Sequence, residues 1–330
     1  MKAVVLSRYG TPETCLSLAE IERPKPGDHE VLIRVRASTV NDVDWSFTRG
    51  EPRVYRLIFG LMKPKLTVLG VELSGTVEAA GNRVTKFKPG DEVYGDLSDA
   101  GLGAFAEYVC VNEAALAPKP HGITFEQAAA APHAGMLAWQ GLVEVGGIRE
   151  GETVLINGAG GGVGLLGVQI AKRFGAEVTG VDRAFKLPTL RSTGFDHVID
   201  YEREDFTRNG RRYHLILDTK TTRSPFRFLD SLHRGGRYVT VGGHVPRLLQ
   251  TALLGPVIAR ATGKQIRVVA LKPNKHLGEL NKLFELGALK SVIDGPHPLR
   301  DVPKAVQRFG DSQHIGKVVI TVTDQTATPH

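Results

Sequence analysis

The chain has 330 residues, 42% of them hydrophobic and 23% charged, a balance that fits a globular protein of two domains and excludes a disordered or fibrous one. Lysine and arginine outnumber aspartate and glutamate by 42 to 35, yet the basic residues are dispersed and no nucleic-acid-binding motif accompanies them, so nucleic acid is not an expected partner. Two cysteines, Cys15 and Cys110, exclude a disulfide framework and a four-cysteine zinc lobe, and no apolar run reaches the roughly 18 residues that span a bilayer. The opening MKAVVLSRYGTPE has too short an apolar part for a signal peptide. A reducing cytoplasm, with no membrane partner, is the expected setting.

Residues 1–122 read as mostly β. Strand-like runs at 3–6, 31–35, 71–77, 92–94 and 105–111 are separated by turn signals such as Pro24-Lys25-Pro26-Gly27-Asp28 and Pro89-Gly90-Asp91. Many short strands between such turns predict a compact barrel or sandwich. Residues 49–65 are irregular and basic, with Tyr55 and Phe59 among them, and read either as a loop over a pocket or as an insertion. From 124 to 145 the pattern turns helical, with Ala128 to Ala131 as strong helix formers broken at Pro132.

Next comes the stretch TVLINGAGGGVGLLGVQIAKRF. Residues 153–156 form a short aliphatic strand, and Gly158, Gly160, Gly161, Gly162, Val163 and Gly164 make a turn of nearly pure glycine. Leu165, Leu166, Val168, Ile170 and Ala171 then fall at helical spacing. Strand, glycine turn and helix together describe a phosphate cradle, because glycines let the backbone approach a pyrophosphate and the helix start offers unpaired N–H groups. The spacing is Gly158-x-x-Gly161-x-x-Gly164 rather than the strict G-x-G-x-x-G, so the strand before and the helix after carry the assignment.

Five further hydrophobic runs follow at 177–181, 197–200, 215–217, 237–241 and 266–271, with a helix expected at 186–192. Six such runs with helical crossovers predict a doubly wound, six-stranded parallel sheet, an α/β fold whose ligands bind at the carboxyl ends of the strands. That edge carries the glycine turn, Asp182, Asp218, Gly242 and Gly243. The tail returns to the first style, with helices at 277–289 and 302–309, a strand at 316–320 and a frayed end at 323–330. A tail that packs back on the first domain divides the chain into 1–122 with 290–330, and 123–289.

The strings NGAGGGVGLLGVQIAKRFGAEVTGV, HVIDYEREDF, FKPGDEVYG and GAFAEYV resemble the zinc-free quinone oxidoreductase branch of the medium-chain dehydrogenase/reductase superfamily, and the resemblance runs from MKAVV to GKVVITV. It implies a GroES-like β domain, a Rossmann domain, and NADPH-dependent reduction of quinones or α,β-unsaturated carbonyls. The zinc-using members need a thiolate and an imidazole among their ligands. This chain has Asn41 at the cysteine position, and Gly70-Val71-Glu72 where those members read Gly-His-Glu, so no catalytic metal is expected.

Asp182 follows the last glycine by close to the roughly 20 residues at which an acid binds the ribose 2′-OH of NAD. Against it stand Arg183, Lys186 and Tyr201; the last two match the lysine and tyrosine that hold the 2′-phosphate in NADPH-using quinone oxidoreductases. Two cations and a hydroxyl suit a phosphate. Arg183 and Lys186 also read as solvated charges at a helix start. NADPH is the expected cofactor, with NADH left open.

The resemblance makes Asn41 the candidate polar group near the nicotinamide, and Asp44 either orients its backbone or caps the helix that follows. Tyr55 reads as a proton donor to substrate or as an ordinary half-buried tyrosine, while His133 and His244 read as structural. Many members have threonine at the position of Leu137. That departure keeps alive a second reading, a cofactor-binding redox sensor or scaffold with little turnover. A homodimer is expected, because the strand at 266–271 is an open apolar edge and 248–258 adds an apolar stretch.

Overall fold

The computed structural model describes residues 1–322, apart from the side chains of Tyr55 and Ile58, so the end expected to fray lies outside the described residues. In chain order, β1 (Lys2–Leu6) leads through α1 (Pro12–Cys15) to β2 (Leu16–Glu20) and β3 (Glu30–Thr39). Helices α2 (Asp42–Arg49) and α3 (Val54–Phe59) precede β4 (Glu72–Ala80), β5 (Glu92–Asp96), β6 (Tyr108–Asn112) and β7 (Ala117–Pro118). Then come α4 (Phe125–Ala129), α5 (Pro132–Trp139), β8 (Thr153–Asn157), α6 (Gly162–Lys172) and β9 (Glu177–Asp182). They are followed by α7 (Leu187–Thr193), β10 (His197–Asp200), β11 (Tyr213–Asp218), β12 (Leu232–Thr240) and α8 (Val245–Thr262). The last elements are β13 (Gln265–Val268), α9 (Leu277–Glu285), β14 (Ile293–Pro298), α10 (Val302–Gly310) and β15 (Lys317–Thr321).

Two compact units emerge, one of residues 1–133, 273–286 and the described residues from 291 onward, the other of 134–272 and 287–290. In the first, a sheet runs β14-β15-β3-β4-β5-β7, with β6 paired to β3, and β1 with β2 forms a separate antiparallel pair. Alternation along β3 sends Val31, Ile33 and Val35 into a core that also takes Leu73, Val77, Phe105 and the α10 residues Val302 and Val306. The expected cut at 122 falls before α4, and packing explains why α4 stays with this unit. Ala129 and Ala130 bury against Ala37 and Val319, and the Ser74 hydroxyl donates to the Phe125 carbonyl at 2.6 Å. The segment 273–286 stays as well: the Asp96 amide donates to Asn274 Oδ1 at 2.8 Å, and Asn281 binds Tyr94 and the Pro118 carbonyl.

In the second unit the six strands are parallel in the order β10-β9-β8-β11-β12-β13, so the direction of winding reverses between β8 and β11. Val154, Leu155 and Ile156 are fully buried, as a strand covered on both faces requires. The helical stretch expected at 124–145 with a break at Pro132 consists of α4, then α5 opening at Pro132, then a π-helical turn at Gln140–Val145. The last strand of the sheet is shorter than the expected 266–271, and α9 stops at Glu285, before Gly287 at φ +66°. Residues 49–65 hold α3 rather than staying irregular throughout. Among the described residues, no helix is long and apolar enough to cross a membrane.

Candidate cofactor cradle and active site

In the second unit, β8 delivers Asn157 to the carboxyl edge of the sheet, beside the point where the winding reverses. The chain turns at Gly158, φ +78°, where a Cβ would sit 2.2 Å from Thr219 Oγ1 and 3.0 Å from the Lys220 stem. At Gly164 a Cβ would lie 2.4 Å from the Ala159 carbonyl oxygen, so the helix can lie this close to the turn only without a side chain there. Gly161 is the N-cap of α6 and brings no side-chain acceptor to the helix start. The amides of Gly162, Val163 and Gly164 therefore form a first turn with no intrahelical acceptor, a seat for an anion. Gly160 contributes differently: its N–H is donated to Asp182 Oδ2 at 2.8 Å. Across the edge, a Cβ on Gly242 would meet nothing within 4 Å, while Gly243, φ +107°, packs tightly on the Lys220 carbonyl.

Asp182 does not face outward as the acid of a ribose site would. Its Oδ1 accepts the Arg183 N–H at 2.9 Å, its Oδ2 accepts Gly160, and Lys186 Nζ lies 3.7 Å away. Lys186 is not a solvated helix-start charge either, since its side chain is 1% exposed. Burial pulls its pKa down, and the cations of Lys220 and Arg183 add to that, against the pull of Asp182. Arg183 is half exposed and donates from Nε to the Tyr201 hydroxyl at 2.8 Å, where β9 and β10 end side by side. Arg183, Lys186 and Tyr201 thus share one corner of the edge. Lys220 is a fourth polar group there that sequence reasoning missed, because a single lysine after a short strand carries no local signal.

The floor of the cradle is a buried carboxylate. Asp218 accepts from Asn157 Nδ2 at 2.8 Å and from the Lys220 and Thr221 amides on one oxygen, and from the Tyr238 hydroxyl at 2.7 Å on the other. Thr221 holds φ +48°, rare for a β-branched residue, and its hydroxyl binds Thr240 and the Gly242 carbonyl. These bonds fix the loop that carries Lys220 beside Gly158.

The first unit holds a second polar assembly, made of side chains. Asn41 is 3% exposed, and its Nδ2 donates to Glu72 Oε2 at 2.9 Å and to Thr39 Oγ1 at 3.2 Å. Its Oδ1 accepts from Lys317 Nζ at 2.5 Å. The carboxamide is therefore fully engaged within the protein and acts as a brace between Lys317 and Glu72. Glu72 is fully buried, with Oε2 also bound to Lys317 Nζ at 2.5 Å and to the Thr39 hydroxyl, and Oε1 accepting the His133 N–H at 2.6 Å. Asp44 accepts the amides of Asn41 at 2.8 Å and Gly70 at 2.9 Å, which ties the two segments where the zinc-using members carry ligands. Burial pushes its carboxyl up to about 7, against the two amides and Lys317.

His133 Nδ1 lies 2.7 Å from Asp96 Oδ2, and the other Asp96 oxygen takes the Ser98 amide at 2.7 Å and the Ser98 hydroxyl. Burial alone would raise the Asp96 carboxyl, but His133 and Ser98 hold it below the usual carboxylate range. Lys317, Glu72, His133 and Asp96 are groups the sequence reading did not assemble. A buried charge has the same letters as a surface one, and these four come from distant parts of the chain. Tyr55 lies in α3, and its side chain is outside the described structure.

Comparison with known proteins agrees with this fold. The model described as the alcohol dehydrogenase GroES-like domain matches residues 27–121, and that described as zinc-binding dehydrogenase matches 193–320. The second description names zinc, but this chain carries Asn41 and Val71 at the ligand positions. Among the described residues no group of three or more His, Cys, Asp and Glu side chains is placed to hold a metal. The chain is 33% identical to 2-methylene-furan-3-one reductase of Solanum lycopersicum, over 97% of this chain and 79% of that one. It is 32% identical to the NADPH-dependent alkenal/one oxidoreductase, chloroplastic, of Arabidopsis thaliana, with the same coverage. The solved quinone oxidoreductase of Coxiella burnetii superposes with a TM-score of 0.86 at 26% identity, over 98% of this chain and 99% of that one. A GroES-like unit, a Rossmann unit and relatives of this kind place the chain in the zinc-free quinone oxidoreductase branch of the medium-chain dehydrogenase/reductase superfamily, to which it belongs.

Proposed function

We propose that the protein is an NADPH-dependent oxidoreductase that reduces a quinone or an α,β-unsaturated carbonyl without zinc. The observation that carries this reading is the pairing of an open glycine cradle with a polar corner of Arg183, Lys186 and Tyr201 in which Asp182 is turned inward. The amides of Gly162, Val163 and Gly164 take the diphosphate, and the corner takes the 2′-phosphate. Bound NADPH supplies the hydride for the β-carbon of an enone or the ring of a quinone. As that carbon takes the electron pair, charge grows on the carbonyl oxygen, and the protein must present hydrogen-bond donors where a metal would otherwise stand. Two relatives named as NADPH-dependent alkenal/one oxidoreductase and 2-methylene-furan-3-one reductase support this substrate class.

Calorimetric titration with NADPH and NADH, followed by cofactor oxidation with a panel of quinones and enones, tests the reading. NADPH is expected to bind at least about tenfold more tightly than NADH, and Arg183→Ala to remove about 1–2 kcal/mol of that difference while leaving NADH unchanged. Failure of both reduced nicotinamides to bind would sink it. Binding without turnover on any acceptor favours a redox sensor or scaffold, the reading that Leu137 keeps open.

The same reading takes a homodimer. The outer strand β13 ends the parallel sheet, and α8 exposes Leu249, Leu253 and Val257 at one-turn spacing beside it, an apolar face that a second copy covers. Sedimentation of the purified chain at a single-chain mass removes that part. Cytoplasmic residence rests on the free thiols of Cys15 and Cys110, and cell fractionation tests it.

A further inference from the structure

The geometry points to His133, backed by Asp96, as the proton donor to substrate, an assignment that rests on the reductase reading above. Hydride delivery to an enone or quinone leaves an electron pair on oxygen, and a proton must reach that oxygen from a group held near it. The polar groups around positions 41 and 71, where the zinc-using members bind their metal, are the candidates. Asn41 uses both amide hydrogens inside the protein, Lys317 gives two of its three to Asn41 and Glu72, and the oxygens of Glu72 and Asp44 already accept. His133 differs from all of these. Among the described residues no hydrogen bond forms at its Nε2, and its side chain is 13% exposed while that of Asp96 is fully buried.

The ring is also held still. The His133 main chain is pinned to Glu72 Oε1 at 2.6 Å and Nδ1 to Asp96 Oδ2 at 2.7 Å, so Nε2 is the nitrogen left for substrate. Asp96 keeps that position because Ser98 occupies its other oxygen. Three charged groups from three strands face the imidazole: Asp96 at the end of β5, Glu72 on β4 and Lys317 on β15. Burial and Lys317 disfavour the imidazolium, but the two carboxylates outweigh them and raise its pKa.

The step balances without a further reagent. The Nε2–H bond breaks as an O–H bond forms on the substrate oxygen, and the electron pair of the broken bond stays on the ring. Neutral His133 regains a proton from solvent. An enone leaves as the enol, which becomes the ketone in water, and a quinone leaves as the hydroquinone.

The experiment uses the purified full chain with NADPH and an acceptor that the unsubstituted protein reduces, comparing it with His133→Gln and Asp96→Asn. His133→Gln is expected to lower kcat by about 10²-fold or more while the Kd for NADPH stays within about twofold. The acid form is the active one, so kcat of the unsubstituted protein falls as pH rises through the imidazolium pKa. That falling limb is expected to vanish in His133→Gln and to move to lower pH in Asp96→Asn. A His133→Gln protein that keeps kcat within about threefold and keeps the limb overturns the assignment. Should His133→Gln not fold, an unmoved limb in Asp96→Asn overturns it instead. Absence of turnover in the unsubstituted protein rejects the reductase reading itself, a result distinct from turnover that ignores His133.

Discussion

The turn from Gly158 to Gly164 meets an anion with main-chain amides and keeps side chains out of the way, whereas the assembly around Glu72 is made almost wholly of side chains and of charge. The first is local: strand, turn and helix follow one another within β8 and α6. The second joins groups 245 and 276 residues apart, where Lys317 meets Glu72 and Asn41. A diphosphate is the same in every substrate pair, so a short stretch of backbone suffices for it. A buried carboxylate needs a counter-charge, and in this protein the fold brings one from the last strand.

The comparison can be broken most severely at that counter-charge. Lys317→Met leaves Glu72 buried without a cation and is expected to cost about 3–5 kcal/mol in urea unfolding, with Glu72→Gln in the same chain restoring part of it. An undiminished midpoint for the single variant would mean that Glu72 is not held as a charge. On the local side, Gly164→Ala drives a Cβ to within 2.4 Å of the Ala159 carbonyl. Its expected cost is about 1–3 kcal/mol, with NADPH binding weakened and the Asp96–His133 pH limb untouched. Equal binding of NADPH by this variant would remove the close approach from the account of the cradle.

The smallest effect, per pH unit, is a slope. Asp44 holds its proton up to about 7 in the folded chain against 3.8 when unfolded, so the folded state binds more protons between those values. The stability it contributes is complete below 3.8 and is lost as pH rises toward 7, by at most about 1.4 kcal/mol per unit. Asp44→Asn is expected to flatten that decline in denaturant titrations run from pH 4 to pH 7. An unchanged slope would assign the decline to other groups; His133, whose raised pKa acts in the same direction, does so only above its ordinary 6.5.

How much of this was legible in the chain follows the same division. The aliphatic strands, the glycine turn and the doubly wound order could be read, because periodicity and turn chemistry act over a few residues. The corner residues Arg183, Lys186 and Tyr201 could be named, but not how they sit. Asp182 stands at the distance of a ribose acid, and nothing in its neighbours shows that its lone pairs go to Gly160 and Arg183. Lys186 looks like a surface charge and is buried. Asn41 was found by its place in a segment, yet that its amide braces Lys317 and Glu72 depends on a strand nearly the whole chain away. His133, read as structural, acquires its significance only once Asp96 and Glu72 are folded against it.

The position of Lys317 bears on the order in which the chain can mature. Strand β15 pairs with β3 through Val319, Ile320 and Thr321, and carries the ammonium that Glu72 needs. While the ribosome is still making the Rossmann segment, β3 lacks this neighbour and the Glu72 carboxylate has no cation. The nucleotide unit, nearly continuous in sequence, can therefore close during translation, but the first unit must wait for its final strand to leave the exit tunnel. A nascent polypeptide arrested before residue 317 is thus left with a finished cofactor half and an open partner.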